Sequence, residues 1–150
     1  PEVKSREDYR HADYEVVPSG TFTAMQIARV GITEEEAIAQ GIKHKVGYLK
    51  YSSTAQAYAR GILPEQEEID GFAKVIVDEI THEILGVHIL ADEASSLIEP
   101  YTYLMAIGRQ DRYPVNRYEN VVENMTVHPA LAEVVAWAFE SWRKEDKQDA

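Results

Sequence analysis

The stretch Phe72-Ala73-Lys74-Val75-Ile76-Val77-Asp78-Glu79-Ile80-Thr81-His82-Glu83-Ile84-Leu85-Gly86-Val87-His88-Ile89-Leu90 contains two runs rich in β-branched residues, Phe72 to Ile80 and Ile84 to Leu90. Side chains of this type fit a pleated, half-buried surface, and the short Thr81-His82-Glu83 link predicts an antiparallel hairpin. His82, Glu83 and His88 invite a metal reading. The zinc-protease helix pattern needs a second histidine four residues after the first, and that position is Gly86. A solvated turn and a strand-face histidine are the expectation, and no metal site is predicted.

Upstream of the hairpin, Ile42 to Tyr51 reads as a further strand, with Val46 and Tyr48 alternating with Lys45, Gly47 and Lys50. Before it, Thr33 with Glu36 three residues later predicts a capping box, and Gly41 a helix stop. The acids Glu34, Glu35 and Glu36 then fall in a first helical turn, where negative charge meets the helix dipole, which favours a structural role over a cation site. Thr21 to Val30 looks extended. Residues Pro1 to Gly20 show no period and read as a solvated lead-in. Ser52 to Leu63 is ambiguous, with Ala55, Tyr58 and Ala59 permitting a helical turn, and Pro64 to Asp70 reads as an acidic loop.

Downstream, Asp92 is expected to start a helix carrying Ala94, Leu97, Tyr101, Leu104 and Gly108 on one stripe. Pro100 falls inside it and predicts a kink or break. Arg109 to Tyr118, with Arg112, Pro114 and Arg117, reads as a polar connection. The last long helix follows Pro129, which suits a first helical position. Leu131, Val134, Val135, Ala138 and Trp142 recur at helical spacing, leaving Glu133, Trp137 and Glu140 to share the remaining side. A helix this apolar is buried by its own domain or by another chain. Beyond Trp142 lies a charged tail. Helices with a run of antiparallel strands give an α+β fold: a mainly antiparallel sheet with helices packed on one face.

At 150 residues and 45% apolar the chain is long enough for one domain with a real core. A formal charge of −11 opposes binding to nucleic-acid phosphates. No run of about 18 apolar residues predicts a membrane span. Nothing at the N-terminus reads as a secretion signal, and a cytoplasmic setting is expected. With no cysteine, this polypeptide cannot itself perform thiol or disulfide chemistry.

The residues that carry chemistry are His128 and Glu133. His128 precedes a proline and is pushed out of helical dihedrals, with the carboxylate five residues on. From spacing alone, a histidine before proline is more commonly a capping or loop residue than a reactive one, and both readings stand. No nucleophile or metal constellation accompanies the pair to support a hydrolase.

Several segments, in order, resemble one family. Phe22-Thr23 followed by Ile27 to Ala37, Gly71 to Asp78, Ile84 to Ile89, Ala94 to Gly108 and His128-Pro129-Ala130-Leu131-Ala132-Glu133 are similar to the C-terminal interface (dimerisation) domain of the FAD-dependent pyridine nucleotide-disulfide oxidoreductases. Dihydrolipoamide dehydrogenase, which these segments are read as resembling most, and glutathione reductase belong to that family. The resemblance implies residues 1–20 as a lead-in from a missing upstream region, 21–142 as the dimerisation domain and 143–150 as a charged tail. It implies a homodimer of a larger enzyme with missing FAD- and NAD-binding domains. The parent would use FAD and NAD(P) on a small dithiol or disulfide substrate, and this fragment alone would bind neither cofactor. His128 and Glu133 become an acid–base pair lent to the partner subunit, His128 and Pro129 become contacts to the partner's flavin, and the His128–Pro129 bond is expected to be cis. Ala130 and Ala132 replace the Thr and Ser usual in dihydrolipoamide dehydrogenases, which leaves the substrate open. No Gly-x-Gly-x-x-Gly occurs among the eight glycines, so the chain lacks a dinucleotide cradle of its own. The alternative is a stand-alone, non-catalytic interaction domain of the same fold.

Overall fold

The computed structural model describes residues 14–64, 70–109 and 114–145, with no side-chain description beyond Ser141. The first part of the lead-in, most of the acidic loop, Arg112 and the end of the charged tail lie outside the described residues, as does the side chain of Trp142.

Five strands form one antiparallel sheet. They are β1 (Ser19–Thr21), β2 (Gln26–Gly31), β3 (His44–Lys50), β4 (Phe72–Asp78) and β5 (Ile84–Ala91), in the order β1-β2-β5-β4-β3. The β4–β5 hairpin is therefore the inner part of the sheet, as its composition predicts, with a register shift at Ile76/Val77. The extended stretch read at Thr21 to Val30 is in fact a hairpin. Its first strand begins at Ser19, inside the segment read as lead-in. Alternation puts Ala28, Val30, Ala73, Val75, Val77, Val87, Ile89 and Ala91 into the core.

Helix α1 (Glu34–Ala39) starts at Thr33 with the predicted capping box, Glu36 N–H donating to Thr33 Oγ1 at 3.1 Å and Thr33 N–H to Glu36 Oε2 at 2.7 Å. It stops at Gly41, whose φ of +67° suits glycine, with Ile42 N–H closing onto Ala37 O at 3.0 Å. The ambiguous stretch holds a 3₁₀ turn at Tyr51–Ser53 and a short α2 (Ala55–Ala59).

The helix predicted from Asp92 is broken in two, α3 (Ala94–Leu97) and α4 (Glu99–Gly108). Pro100 lies in the first turn of α4, where its missing N–H removes no helical hydrogen bond. Glu93, not Asp92, stands at the N-cap of α3, with φ at +59°. The polar connection ends in α5 (Glu119–Val122), a turn too short to leave a periodic signal.

The last helix, α6 (Glu133–Glu145), starts four residues later than Pro129 suggests. It lies across β3 and β4, with Val134, Val135, Ala138 and Phe139 fully buried. At Gly47 a Cβ would sit 2.0 Å from Ala138 O, so α6 reaches β3 only because position 47 has no side chain. The outer edge of β3 is also used: Tyr48 N–H donates to Ser141 Oγ at 2.9 Å, and that hydroxyl donates to Ala138 O at 2.8 Å. Among the described residues, no helix is long and apolar enough to cross a membrane.

Candidate functional site

Residues Glu123 to Pro129 form an exposed segment between α5 and α6. Met125 is 94% exposed and Val127 78%, an unusual degree for two apolar side chains with one residue between them in a loop. The His128–Pro129 peptide that follows is cis, in agreement with the expectation. Leu131 and Ala132 then make a turn, their carbonyls receiving Val134 N–H at 3.4 Å and Val135 N–H at 3.2 Å, and this turn delivers Glu133 to the first position of α6.

Glu133 is the unexpected residue. Helical periodicity places it with Trp137 and Glu140 on the more polar side, yet its side chain is only 2% exposed. A buried carboxylate is costly unless hydrogen bonds replace its water. Both oxygens are supplied: Oε2 accepts Ala130 N–H at 3.0 Å, and Oε1 lies 2.5 Å from His128 Nδ1. Its place in the first turn adds the favourable field of the helix N-terminus.

A carboxylate accepts, so His128 Nδ1 carries the proton and donates it. The neutral ring is thereby held in the tautomer whose Nε2 has a free lone pair. Nε2 makes no hydrogen bond among the described residues, and the side chain is 62% exposed. Trp137, one turn beyond Glu133 on the same side of α6, stacks on the imidazole with rings inclined by 27° and centroids 6.4 Å apart. The imidazole is fixed from behind by a buried carboxylate, packed on one side by an indole, and open in front. Such a ring presents Nε2 as a hydrogen-bond acceptor to a group that meets it from the open side.

The structure thus brings His128, Pro129 and Glu133 together and keeps the other candidates apart. His88 Nε2 donates to Ile32 O at 3.0 Å. His82 lies in the β4–β5 turn but is not simply solvated, because Nδ1 bonds Glu119 Oε1. Of the acid cluster, Glu36 caps α1 and Glu34 pairs with Lys74 at 2.5 Å. A cavity of about 490 Å³ lies elsewhere, walled by Ile32, Ile42, Leu85, Met105, Arg109 and Asn116, and includes neither His128 nor Glu133. Trp137 and Glu119 were not singled out by sequence reasoning for the site. Trp137 had a usable signal, standing four residues after Glu133 on one helix; Glu119 lies 37 residues from its histidine and had none.

Comparison with known proteins gives a consistent result. Residues 17–139 match the model of the pyridine nucleotide-disulphide oxidoreductase dimerisation domain. A dihydrolipoyl dehydrogenase of Trypanosoma brucei brucei is 35% identical over 125 residues, covering 83% of this chain and 23% of the relative. A mycothione reductase of Mycobacterium tuberculosis is 35% identical over 123 residues, covering 82% and 24%. This chain therefore spans about a quarter of the length of these curated relatives. Among solved structures, an HOCl-induced flavoprotein disulfide reductase of Escherichia coli superposes with a TM-score of 0.74 at 23% identity, over 90% of this chain and 28% of that one. That likeness supports the fold.

Proposed function

Because the chain belongs to the dimerisation-domain family of the pyridine nucleotide-disulphide oxidoreductases, we propose that it is the self-associating part of a flavin-dependent NAD(P)H disulfide or dithiol oxidoreductase of the dihydrolipoamide dehydrogenase kind. In that reading the domain lends His128 and Glu133 to the active site of the partner subunit. The observation that carries it is the exposed imidazole locked onto a buried carboxylate. A ring serving only as a loop residue has no need of a carboxylate that is 2% exposed. A base that must serve another subunit needs this combination of fixed orientation and open front.

The described residues fit a flavin at one edge only. His128 and Pro129 are exposed beside Val127 and Met125, forming an apolar margin with a single base. An antiparallel sheet without a glycine-rich turn leaves the dinucleotide itself to be held by other domains. When bound, flavin supplies two-electron transfer between nicotinamide and a disulfide. His128 handles the proton: Nε2 takes it from the attacking thiol as the new sulfur–sulfur bond forms, and returns it to the thiolate released as the old bond breaks. Glu133 holds Nδ1–H throughout, and Trp137 limits rotation of the ring.

The test is His128→Gln in the flavoprotein that carries this domain. Dithiol turnover is expected to fall by about 10²–10⁴, with flavin content and dimer mass unchanged. Full turnover would remove the catalytic role and leave self-association alone, the non-catalytic alternative.

A further inference from the structure

A second histidine–carboxylate pair ties the β4–β5 turn to α5, the element that leads to the first pair. We propose that His82 and Glu119 are positioning residues for His128, a role that rests on the acid–base reading given above. His82 occupies the turn between β4 and β5 with φ at +63°, a conformation uncommon outside glycine that Asn, Asp and His adopt more readily than other side chains. That conformation turns its ring toward α5, where Nδ1 bonds Glu119 Oε1 and the ring meets Tyr118 edge-on at 5.3 Å. The backbones are joined at the same place: Tyr118 N–H donates to His82 O at 3.1 Å, and Glu83 bridges Arg117. Glu119 Oε2 is buried and makes no hydrogen bond among the described residues, and Oε1 is held by the ring of His82 at the N-terminus of α5.

What this tether controls follows from the chain beyond it. The N–H of Glu123 is bonded to Glu119 O at 2.9 Å and that of Asn124 to Val121 O at 3.4 Å. From Met125 to His128, no backbone N–H donates to another backbone group among the described residues. Among the described residues, the backbone of the exposed segment is therefore anchored by α5 upstream and, through the His128 ring, by Glu133 downstream. Glu133 sets the direction of the imidazole, and α5 sets where the segment starts. Tyr118 and Val121 seat α5 through burial, which is non-directional. The His82–Glu119 bond and the paired backbones fix α5 against the inner hairpin of the sheet. Nε2 of His128 must meet a thiol to within a fraction of an ångström, and displacement of its anchor is felt in the rate rather than in substrate binding.

The experiment is steady-state kinetics of the flavoprotein that carries this domain, with Glu119→Ala, Glu119→Gln and His128→Gln measured side by side. Glu119→Ala is expected to lower kcat for dithiol turnover about tenfold, with flavin content and the KM for the nicotinamide substrate unchanged. Glu119→Gln keeps an amide oxygen that accepts from the His82 ring, and is expected to recover most of that loss. A merely stabilising role would instead lower the yield of folded holoenzyme and leave kcat per flavin intact. Wild-type kcat in Glu119→Ala, with His128→Gln inactive, would overturn the positioning role alone. Full activity in His128→Gln would overturn the reading beneath it. Should Glu119→Ala fail to fold, His82→Asn decides: asparagine tolerates the positive φ but removes the ring, and unchanged kcat there overturns the proposal equally.

Discussion

At the scale of single residues, His88 and Glu133 show opposite solutions to burying an ionisable group. Glu133 receives two donors and sits at a helix N-terminus. His88 receives one acceptor, Ile32 O, among basic neighbours: it pairs across the strands with Arg29 on one side and Lys74 on the other. Burial pushes its pKa below the ordinary histidine value. The Ile32 carbonyl pulls it back in part, and the Arg29 and Lys74 charges add to the lowering. The folded state therefore binds the proton less readily than the unfolded chain, whose histidine titrates near pH 6.5. The stability involved is present above that pH and is lost as the pH falls through the folded-state value. Urea unfolding at pH 7.5 and pH 5.5 checks this. The midpoint is expected to drop on acidification, and to drop less in His88→Gln, which keeps a donor for Ile32 O but does not titrate. An identical drop in both proteins would show that His88 contributes nothing.

At the scale of elements, what could be read from the sequence depended on whether the controlling interaction was local. Thr33, Glu36 and Gly41 bound α1 within ten residues, and Pro100 breaks a helix by its own covalent shape; these features stand as the sequence predicts. The start of α6 does not. Pro129 is sterically suited to open a helix, but the carboxylate of Glu133 takes up Ala130 N–H and the His128 ring, and the intervening residues form a turn. Burial of Glu133 by the surrounding fold overrode a local preference. The hydrophobic pattern of 131–142 located the helix correctly and misassigned the one charged residue that matters. The pairing of His82 with Glu119 joins two loops distant in sequence and left no periodic trace. Seating of α6 on β3 likewise hung on Gly47, a single residue inside an otherwise ordinary strand. Gly47→Ala is expected to destabilise the domain by about 1–3 kcal/mol or more, because the new methyl meets a backbone carbonyl rather than a movable side chain. Thermal unfolding checks it, and an unchanged midpoint would mean α6 can shift without cost.

At the scale of the whole molecule, α6 packs across β3 and β4, and the His128–Glu133 pair stands at the margin of this platform with the imidazole 62% exposed. One side of the sheet is filled by α6, so the site cannot close over itself from behind. The imidazole points away from its own core. Met125, Val127 and Pro129 leave apolar surface exposed beside the imidazole. In a two-fold dimer the same margin occurs twice, and each copy can cover the site of the other.

The most direct measurement is subunit mixing in the flavoprotein that carries this domain. One variant has His128→Gln with its redox cysteines intact, and the other has His128 intact with those cysteines replaced. Each alone is inactive. If the imidazole serves the opposite subunit, random mixed dimers contain one complete site each, and activity returns to about one quarter of wild type. If His128 serves only its own subunit, every site in the mixture lacks one component, and no activity returns.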